Sequence, residues 1–171
     1  MSIGNDTNAP YLMGYSKHER ERLVRQSRLF GKFTKQVLLD AGLTKGMRVL
    51  DVGCGVGDVS LLCSEVVGPK GEVVGVDRDP AAVRAARERA RAAWVGHAAF
   101  QEGNLQTLEF DAPFDAVVGR FVLMYLADPV ATLQTVLRHL RRDGIVAFQE
   151  MDFTFVPMAV PPSLPHQRMV D

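Results

Sequence analysis

The chain has 171 residues, 47% of them hydrophobic, which suits one domain with its own core. The 20 basic and 20 acidic residues balance, so the composition argues against binding nucleic acid or an anionic membrane by overall charge. Two cysteines, Cys54 and Cys63, exclude a disulfide-rich secreted domain and lack metal-site spacing. No apolar run approaches the ~20 residues of a membrane span, and Met1–Pro10 does not resemble a signal peptide. We therefore expect a cytoplasmic protein with a small, roughly neutral substrate.

Residues 1–44 are predicted to form an N-terminal arm with one helix. Residues 1–13 are polar and contain proline and glycine, which favours irregular structure. From Ser16, which suits an N-cap, a charged segment runs into apolar residues at helical spacing. We expect this helix to end near Asp40–Gly42.

Strands alternate with helices in the next hundred residues. The predicted strands are Arg48–Val52, Glu72–Asp77, Ala98–Glu102, Phe114–Gly119 and Gly144–Glu150. The predicted helices are Gly57–Val67, Ala81–Trp94 and one from Asp128 or Pro129 to Arg142. The alternation predicts an α/β fold, a Rossmann-like three-layer αβα sandwich with a mainly parallel sheet. We assign residues 45–152 to this core and residues 153–171, rich in proline, to a tail.

A glycine-rich turn follows the first strand and is the strongest candidate for a binding site. Gly53, Gly55 and Gly57 leave the backbone open to a ligand, and the helix that follows offers free N–H groups. In a parallel sheet, ligands bind beyond the carboxyl ends of the strands, where strand order reverses. The polar residues expected at that edge are Asp51, Asp77, Asn104 and Arg120.

Three interpretations of the turn are open: a tight turn without a ligand, a dinucleotide site and a site for S-adenosylmethionine. A dinucleotide such as NAD calls for G-x-G-x-x-G, but here the third glycine comes one residue early. Asp51 and Asp58 would also put two carboxylates near the pyrophosphate, which is unfavourable. The ammonium and sulfonium groups of S-adenosylmethionine would instead be favoured by acids. Asp77 suits ribose hydroxyls in either case.

The segment Val49–Gly57 resembles the first motif of class I S-adenosylmethionine-dependent methyltransferases of the small-molecule type. Further segments that resemble family motifs in order are Val74–Asp77 with Asp79 and Pro80, Gly103–Leu105, Phe114–Val118, Val122–Pro129 and Leu140–Gly144. The likeness covers about residues 45–152. It implies a cofactor site made of Asp51, Gly53, Cys54 and Gly55 at the methionine end, Asp77 at the ribose, Arg78 beside the adenine, and Asn104 with Leu105 at the adenine edge. Asn104 stands where the family often has Asp, and its carbonyl can accept a hydrogen bond without charge.

The resemblance also implies that part of the fold is absent. A complete family member continues past the fifth strand with a helix and an antiparallel hairpin, so the C-terminal strands look missing and the tail would begin a truncated substrate region. The fifth strand would then be an open edge, which natural sheets seldom tolerate. We expect either a truncated chain, or a homodimer or partner chain that covers this edge.

The chemistry of methyl transfer needs orientation and a dry pocket more than a nucleophile on the protein. A base would help if the acceptor is a phenol or an alcohol. The candidates considered are His97, His139, Tyr125, Glu150 and Asp152, of which we expect His139 on a solvated helix face and His97 in a loop. Arg120 lies inside an apolar run, which points either to the cofactor or substrate cleft or to an edge residue. Arg120, Tyr125 and Glu150 are the catalytic candidates, and no metal site is expected.

The N-terminal arm is similar to the helices that close over the cofactor in small-molecule methyltransferases. The polar and aromatic candidates there are Tyr11, Tyr15, Arg22 and Gln26, with ordinary surface positions as the alternative. The arginines of the helices after strand two and before strand five are interpreted as solvated faces rather than as a nucleic-acid surface.

The expected function is methyl transfer from S-adenosylmethionine to a small-molecule acceptor, with the O, N or C acceptor atom left open. The alternatives are a non-catalytic S-adenosylmethionine-binding module and an NAD-dependent oxidoreductase.

Overall fold

The computed structural model describes residues 30–152. Helix α1 occupies residues 30–40 of that range. Ser16 and the four arm candidates, Tyr11, Tyr15, Arg22 and Gln26, lie outside the described residues. The strands are β1 (Arg48–Val52), β2 (Glu72–Asp77), β3 (Ala98–Glu102), β4 (Phe114–Arg120) and β5 (Leu140–Gln149), and the further helices are α2 (Asp58–Val67), α3 (Pro80–Ala92) and α4 (Pro129–Val136).

The five strands form one parallel sheet in the order β3-β2-β1-β4-β5. This confirms the predicted α/β fold. Strand β1 lies at the centre because its alternate residues are buried on both faces, with Val49 in one cluster and Leu50 in another. In the part of the chain that the structure describes, β3 and β5 are the two outer strands.

The helices cover both faces of the sheet. Leu38 of α1 and Cys63 of α2 pack with Val49 and Val73 on one face, where Ala86 of α3 also meets Phe100 of β3. On the opposite face, residues of β1, β2 and β4 pack against α4 and the loop after β3, and the cluster consists of Leu50, Val52, Val74, Val76, Phe114, Val117 and Val136. The end of the predicted arm therefore belongs to the same core as the sheet.

Aspartate and proline begin two of the helices. Asp79 accepts hydrogen bonds from the backbone N–H groups of Ala81 and Ala82 at 2.9 and 3.1 Å, and Pro80 is the first residue of α3. Asp128 and Pro129 begin α4 in the same way. These N-caps therefore fix where α3 and α4 begin.

The predicted helix up to Arg142 is wrong beyond Val136. A 3₁₀ turn follows at Leu137–His139, and β5 begins at Leu140 rather than at Gly144. Leu140 pairs with Phe114 and Ile145 with Ala116, so the residues between them form an irregularity in the strand, with Asp143 at a φ of 59°. Pairing with β4 therefore outweighs the local helical pattern.

None of the helices within residues 30–152 is both long enough and apolar enough to cross a lipid bilayer.

Candidate functional site

The glycine turn lies where the strand order reverses. From β1 the chain adds β2 and then β3 on one side, and it crosses to β4 on the other. Val52 pairs with Val76 of β2 and with Gly119 of β4, so the turn at residues 53–57 begins between the carboxyl ends of those two strands. The turn therefore lies at the predicted position, beyond the carboxyl ends of the strands where the strand order reverses, and we call this part of the sheet edge the crevice.

The three glycines of the turn have backbone angles that favour glycine. Their φ angles are 66° at Gly53, 53° at Gly55 and 83° at Gly57. A Cβ atom on Gly53 would lie 2.4 Å from Val122 Cγ2, whereas one on Gly55 would meet nothing within 4 Å. Gly53 therefore permits close packing with the segment after β4, and Gly55 exposes its backbone to open space where a ligand can approach.

Asp51 is a buried carboxyl group beneath this turn, with an exposed fraction of 1%. Its Oδ2 accepts a hydrogen bond from Ser60 Oγ at 2.5 Å, while Oδ1 is buried and has no hydrogen-bond partner among the described residues. Burial raises the pKa of Asp51 from 3.8 to about 7; the Ser60 hydroxyl and the charge of Arg120 oppose this rise, and Asp77 adds to it. An unpaired buried acceptor is costly, which makes Oδ1 a candidate ligand contact.

Asp77 ends β2 beside the same turn. Its Oδ2 accepts from the Gly55 N–H at 2.8 Å and its Oδ1 from the Asp79 N–H at 2.9 Å. Burial raises the pKa of Asp77, and the two backbone hydrogen bonds counteract the rise. Each carboxylate oxygen can accept a further hydrogen bond, so this side chain can still bind hydroxyl groups of a ligand.

The remaining predicted cofactor residues lie around the turn. Cys54 is buried, its N–H donates to Val76 O at 2.9 Å, and burial raises the pKa of its thiol well above the usual value. Arg78 is exposed beyond β2. After β3, Asn104 is exposed and its Oδ1 accepts from the Gln106 N–H at 3.0 Å, while Leu105 packs against the core. The Asn104 side chain thus already stabilises a turn through its Oδ1.

Asp58 does not line the turn as a free acid. It is the first residue of α2, and Arg89 Nη2 lies 2.6 Å from its Oδ1 in an ion pair that lacks the alignment of a hydrogen bond. Arg120 Nη2 lies 3.5 Å from its Oδ2. Since two arginines neutralise this carboxylate, it repels a pyrophosphate less than the sequence suggested. Of the two acids, only Asp51 still argues against a dinucleotide ligand.

Arg120 is the last residue of β4, and its side chain is 8% exposed. Besides the ion pair with Asp58, its Nη1 donates to Thr34 Oγ1 of α1 at 3.1 Å. Thr34 in turn donates to Gln149 Oε1 at the end of β5, at 2.8 Å. Burial lowers the pKa of Arg120, and Asp58 and Asp51 counteract this shift. Arginine remains protonated in proteins, so Arg120 cannot serve as a base.

Phe121, directly after β4, has a φ of 54°, which is strained for a bulky residue. Its N–H donates to Gln149 O at 2.9 Å, and its ring meets Phe30 of α1 edge to face at 5.7 Å. This backbone conformation follows the end of β4 and directs the chain from the sheet into the turn at Leu123–Tyr125.

Glu150 stabilises the turn that follows β4. Its Oε1 accepts from the N–H groups of Val122 and Leu123, both at 3.0 Å, and its Oε2 is buried without a hydrogen-bond partner in residues 30–152. The capped segment Leu123–Tyr125 is a 3₁₀ turn that contains Tyr125, which is partly buried. Glu150 thus contacts the start of the short turn that contains Tyr125, another catalytic candidate.

Among residues 30–152, the two histidines, His97 and His139, lie away from this crevice. His97 lies in a loop, as expected, and its Nε2 is 3.0 Å from Ser64 O of α2. The expectation of a solvated helix face for His139 is wrong, because its side chain is 14% exposed and packs edge to face against Phe110 at 5.0 Å. It follows α4 on the face opposite α2 and packs there against Phe110, which itself contacts the core. Asp152 is exposed after β5.

Four residues of the site were missed by the sequence analysis: Ser60, Arg89, Thr34 and Gln149. Ser60 and Ser64 are buried on the apolar side of α2, and a polar residue among Val59, Cys63 and Val67 is the signal that would have found Ser60. The other three are ordinary helix or strand-end residues in sequence, so only their tertiary contacts identify them.

A family model described as a methyltransferase domain matches residues 43–168. The chain is 31% identical over 131 residues to a demethylmenaquinone methyltransferase of Listeria welshimeri, covering 76% of this chain and 56% of that protein. The chain thus spans about half the length of the curated relatives it matches.

Solved structures share the fold. A SAM-dependent methyltransferase from Aquifex aeolicus superimposes with a TM-score of 0.72 at 24% identity, over 84% of this chain and 79% of that one. The [4+2]-cyclase SpnF superimposes with a TM-score of 0.63 at 26% identity, over 70% of this chain and 44% of that one.

Proposed function

Because the chain belongs to the methyltransferase domain family, we propose that it transfers a methyl group from S-adenosylmethionine to a small-molecule acceptor. The observation that carries the proposal is the buried, unpaired Oδ1 of Asp51 beneath a glycine turn whose Gly55 faces open space. An acceptor oxygen in that position suits a ligand that brings its own cation.

The described residues fit this donor in three respects. Asp51 Oδ1 can accept from the ammonium of the methionine end, and Gly55 allows that end to approach the backbone. Both oxygens of Asp77 retain acceptor capacity for the ribose hydroxyls. Cys54 completes the proposed site at the methionine end, and Arg78, Asn104 and Leu105 complete it around the nucleoside.

S-adenosylmethionine, when bound, supplies a methyl group already activated by its sulfonium sulfur. The contribution of the protein is then to orient the donor and exclude water. Asp51 would hold the methionine end of the donor and Asp77 its ribose, and Gly53 lets Val122 pack directly against the turn. Glu150 fixes the segment that carries Val122 and Tyr125.

The acceptor is proposed to be an apolar molecule. Phe121 and Phe30 pack together where β4 ends, and Met124 and Met151, which follow β4 and β5, are both half-exposed. Aromatic and methionine side chains at the mouth of the crevice favour an apolar ring system over a highly charged substrate. The relatives named demethylmenaquinone methyltransferases support this choice.

Donor binding is the first test. Titration calorimetry with S-adenosylhomocysteine and with NAD should give binding of the first and none of the second, and binding of NAD alone would refute the proposal. A methyltransferase assay on a panel of small apolar acceptors, with the longest natural form of the chain, then tests the activity.

A second function is supported by the similarity to SpnF, which is described as a cyclase. Because a shared fold does not fix the reaction, this similarity supports, as the second candidate, a chain that binds the donor without transferring its methyl group. Production of S-adenosylhomocysteine during turnover separates the two, because a non-transferring protein leaves the donor intact. The NAD-dependent oxidoreductase remains disfavoured by Asp51.

We propose that the protein does not bind nucleic acid, that a second copy or a partner chain covers one edge of the sheet, and that the protein is cytoplasmic. Arg87 donates to Phe100 O and Arg89 pairs with Asp58, so these arginines of α3 are committed to internal contacts rather than to nucleic acid. Strand β5 is an outer strand of the described sheet, which supports a second copy or partner chain at that edge. Cys54 and Cys63 are buried free thiols, in keeping with a cytoplasmic location.

A further inference from the structure

Arg120 is in contact with three structural elements around the crevice. It ends β4, pairs with Asp58 at the start of α2 and donates to Thr34 of α1, and Thr34 continues the connection to Gln149 of β5. Its guanidinium also lies 5.8 Å from the centroid of the Phe121 ring, against which Phe30 of α1 packs.

These contacts hold residues 30–34 of α1 near the crevice. Leu38 and the following Leu43 attach the end of the helix to the core, whereas Phe33 is largely exposed. Residues 30–34 contact the crevice through the Thr34 hydroxyl and the Phe30 ring, and the next residue, Lys35, forms an exposed ion pair with Glu65 of α2. Removing the hydroxyl should therefore loosen the beginning of α1 and leave its end in place.

The same guanidinium belongs to the charged cluster beneath the donor site. It acts on Asp58 through an ion pair and on Asp51 through its charge. A ligand that brings an ammonium to Asp51 and a carboxylate nearby changes the electrostatic environment of Arg120 directly. One buried cation thus joins the donor site to α1.

We propose that Arg120 is a positioning residue that couples the docking of α1, through Thr34, to occupation of the methyl-donor site. The inference rests on the proposed donor site and adds a mechanical connection that extends beyond it. Coupling of this kind is reciprocal: if a bound donor holds α1 in place, loosening α1 must weaken the donor.

The test uses Thr34→Val, which removes the hydroxyl at nearly constant shape. We expect the Kd for S-adenosylhomocysteine, measured by calorimetry, to rise about five-fold or more, the lower end of typical couplings between sites. Thr34→Ser, which keeps the hydroxyl, should restore the affinity. Thr135→Val is the matched control, because Thr135 donates only to Ala131 O within its own helix, and it should bind like the wild type.

Hydrogen exchange separates coupling from a merely structural role. In the wild type, S-adenosylhomocysteine should slow amide exchange in α1, and in Thr34→Val this ligand-dependent protection should be lost. An unchanged Kd, or exchange that quickens by the same factor with and without ligand, would overturn the coupling. Failure of the wild type to bind the ligand at all would instead reject the donor site, and with it the coupling.

Arg120→Lys provides a second variant. The single ammonium of lysine cannot reach both Asp58 and Thr34 as the guanidinium does, yet it keeps a positive charge beside Asp58. We expect a weaker Kd together with faster exchange at the beginning of α1. Wild-type affinity and exchange in this folded variant would contradict the assignment.

Discussion

Replacing Asp51 by Asn should change how the free energy of unfolding depends on pH. Burial raises the pKa of Asp51 from 3.8 to about 7 in the folded protein. Between pH 3.8 and about pH 7 the folded state therefore holds a proton on Asp51 that the unfolded state has released. Stability is fully present below the unfolded pKa and is lost as pH rises, with the loss complete once pH exceeds the folded pKa.

The size of this loss follows from the two pKa values. A difference of about 3 units at ~1.4 kcal/mol per unit gives about 4 kcal/mol in total. More than half of this loss falls between roughly pH 5 and pH 8, where the protein is convenient to study. Asp51→Asn has no titrating group at this position, so its stability should lack that part of the slope.

Urea denaturation of the ligand-free wild type and of Asp51→Asn, at several pH values in this range, measures the difference. Comparing the two proteins removes the contributions of all other groups. In Ser60→Ala, the loss of stability caused by ionisation of Asp51 should occur at higher pH than in the wild type, because the Ser60 hydroxyl stabilises the ionised carboxylate. Parallel pH profiles for wild type and Asp51→Asn would refute the assignment of a raised pKa to this residue.

Three further predictions concern the crevice. Asp77→Ala should weaken S-adenosylhomocysteine binding by about 1–3 kcal/mol in calorimetry, since it removes a charged acceptor, and unchanged affinity would exclude Asp77 from the site. Gly53→Ala should lower the free energy of unfolding in urea by about 1–3 kcal/mol, because the new Cβ would clash with Val122; Gly46→Ala, also at positive φ but with nothing within 4 Å, should cost less. Glu150→Gln should keep methyl transfer close to wild type in the acceptor assay, since an amide oxygen can still cap the turn, and a loss of ~100-fold or more in kcat would mark Glu150 as a base.

Local patterns predicted β1, β2 and β4 well because each is a short, largely buried run bounded by turn residues. The bounds of β1, β2 and β3 agree with the prediction, and β4 extends one residue further, to Arg120. The last helix was misjudged because Leu137–Arg142 carries a helical pattern that pairing with Phe114 and Ala116 overrides.

The glycine turn and its acids were also readable from sequence, since spacing alone puts them at the carboxyl ends of neighbouring strands. The partners of those acids were not. The sequence predicted Asp58 to be an acid that lines the turn, but it forms ion pairs with Arg89 and Arg120, which lie 31 and 62 residues away in the chain. Glu150 reads as a group that faces the substrate, but it caps a turn 28 residues earlier in the chain.

The sequence by itself determined the alternation of strands and helices, the place of the glycine turn and the likeness to a methyltransferase family. All three depend on residues that are close together in the chain. Only the tertiary structure decided which charges neutralise one another, that Asp51 keeps an unpaired buried oxygen, and that Arg120 connects α1 to the crevice. These depend on burial and on contacts between distant residues, which set both the pKa of an acid and the partner of a cation.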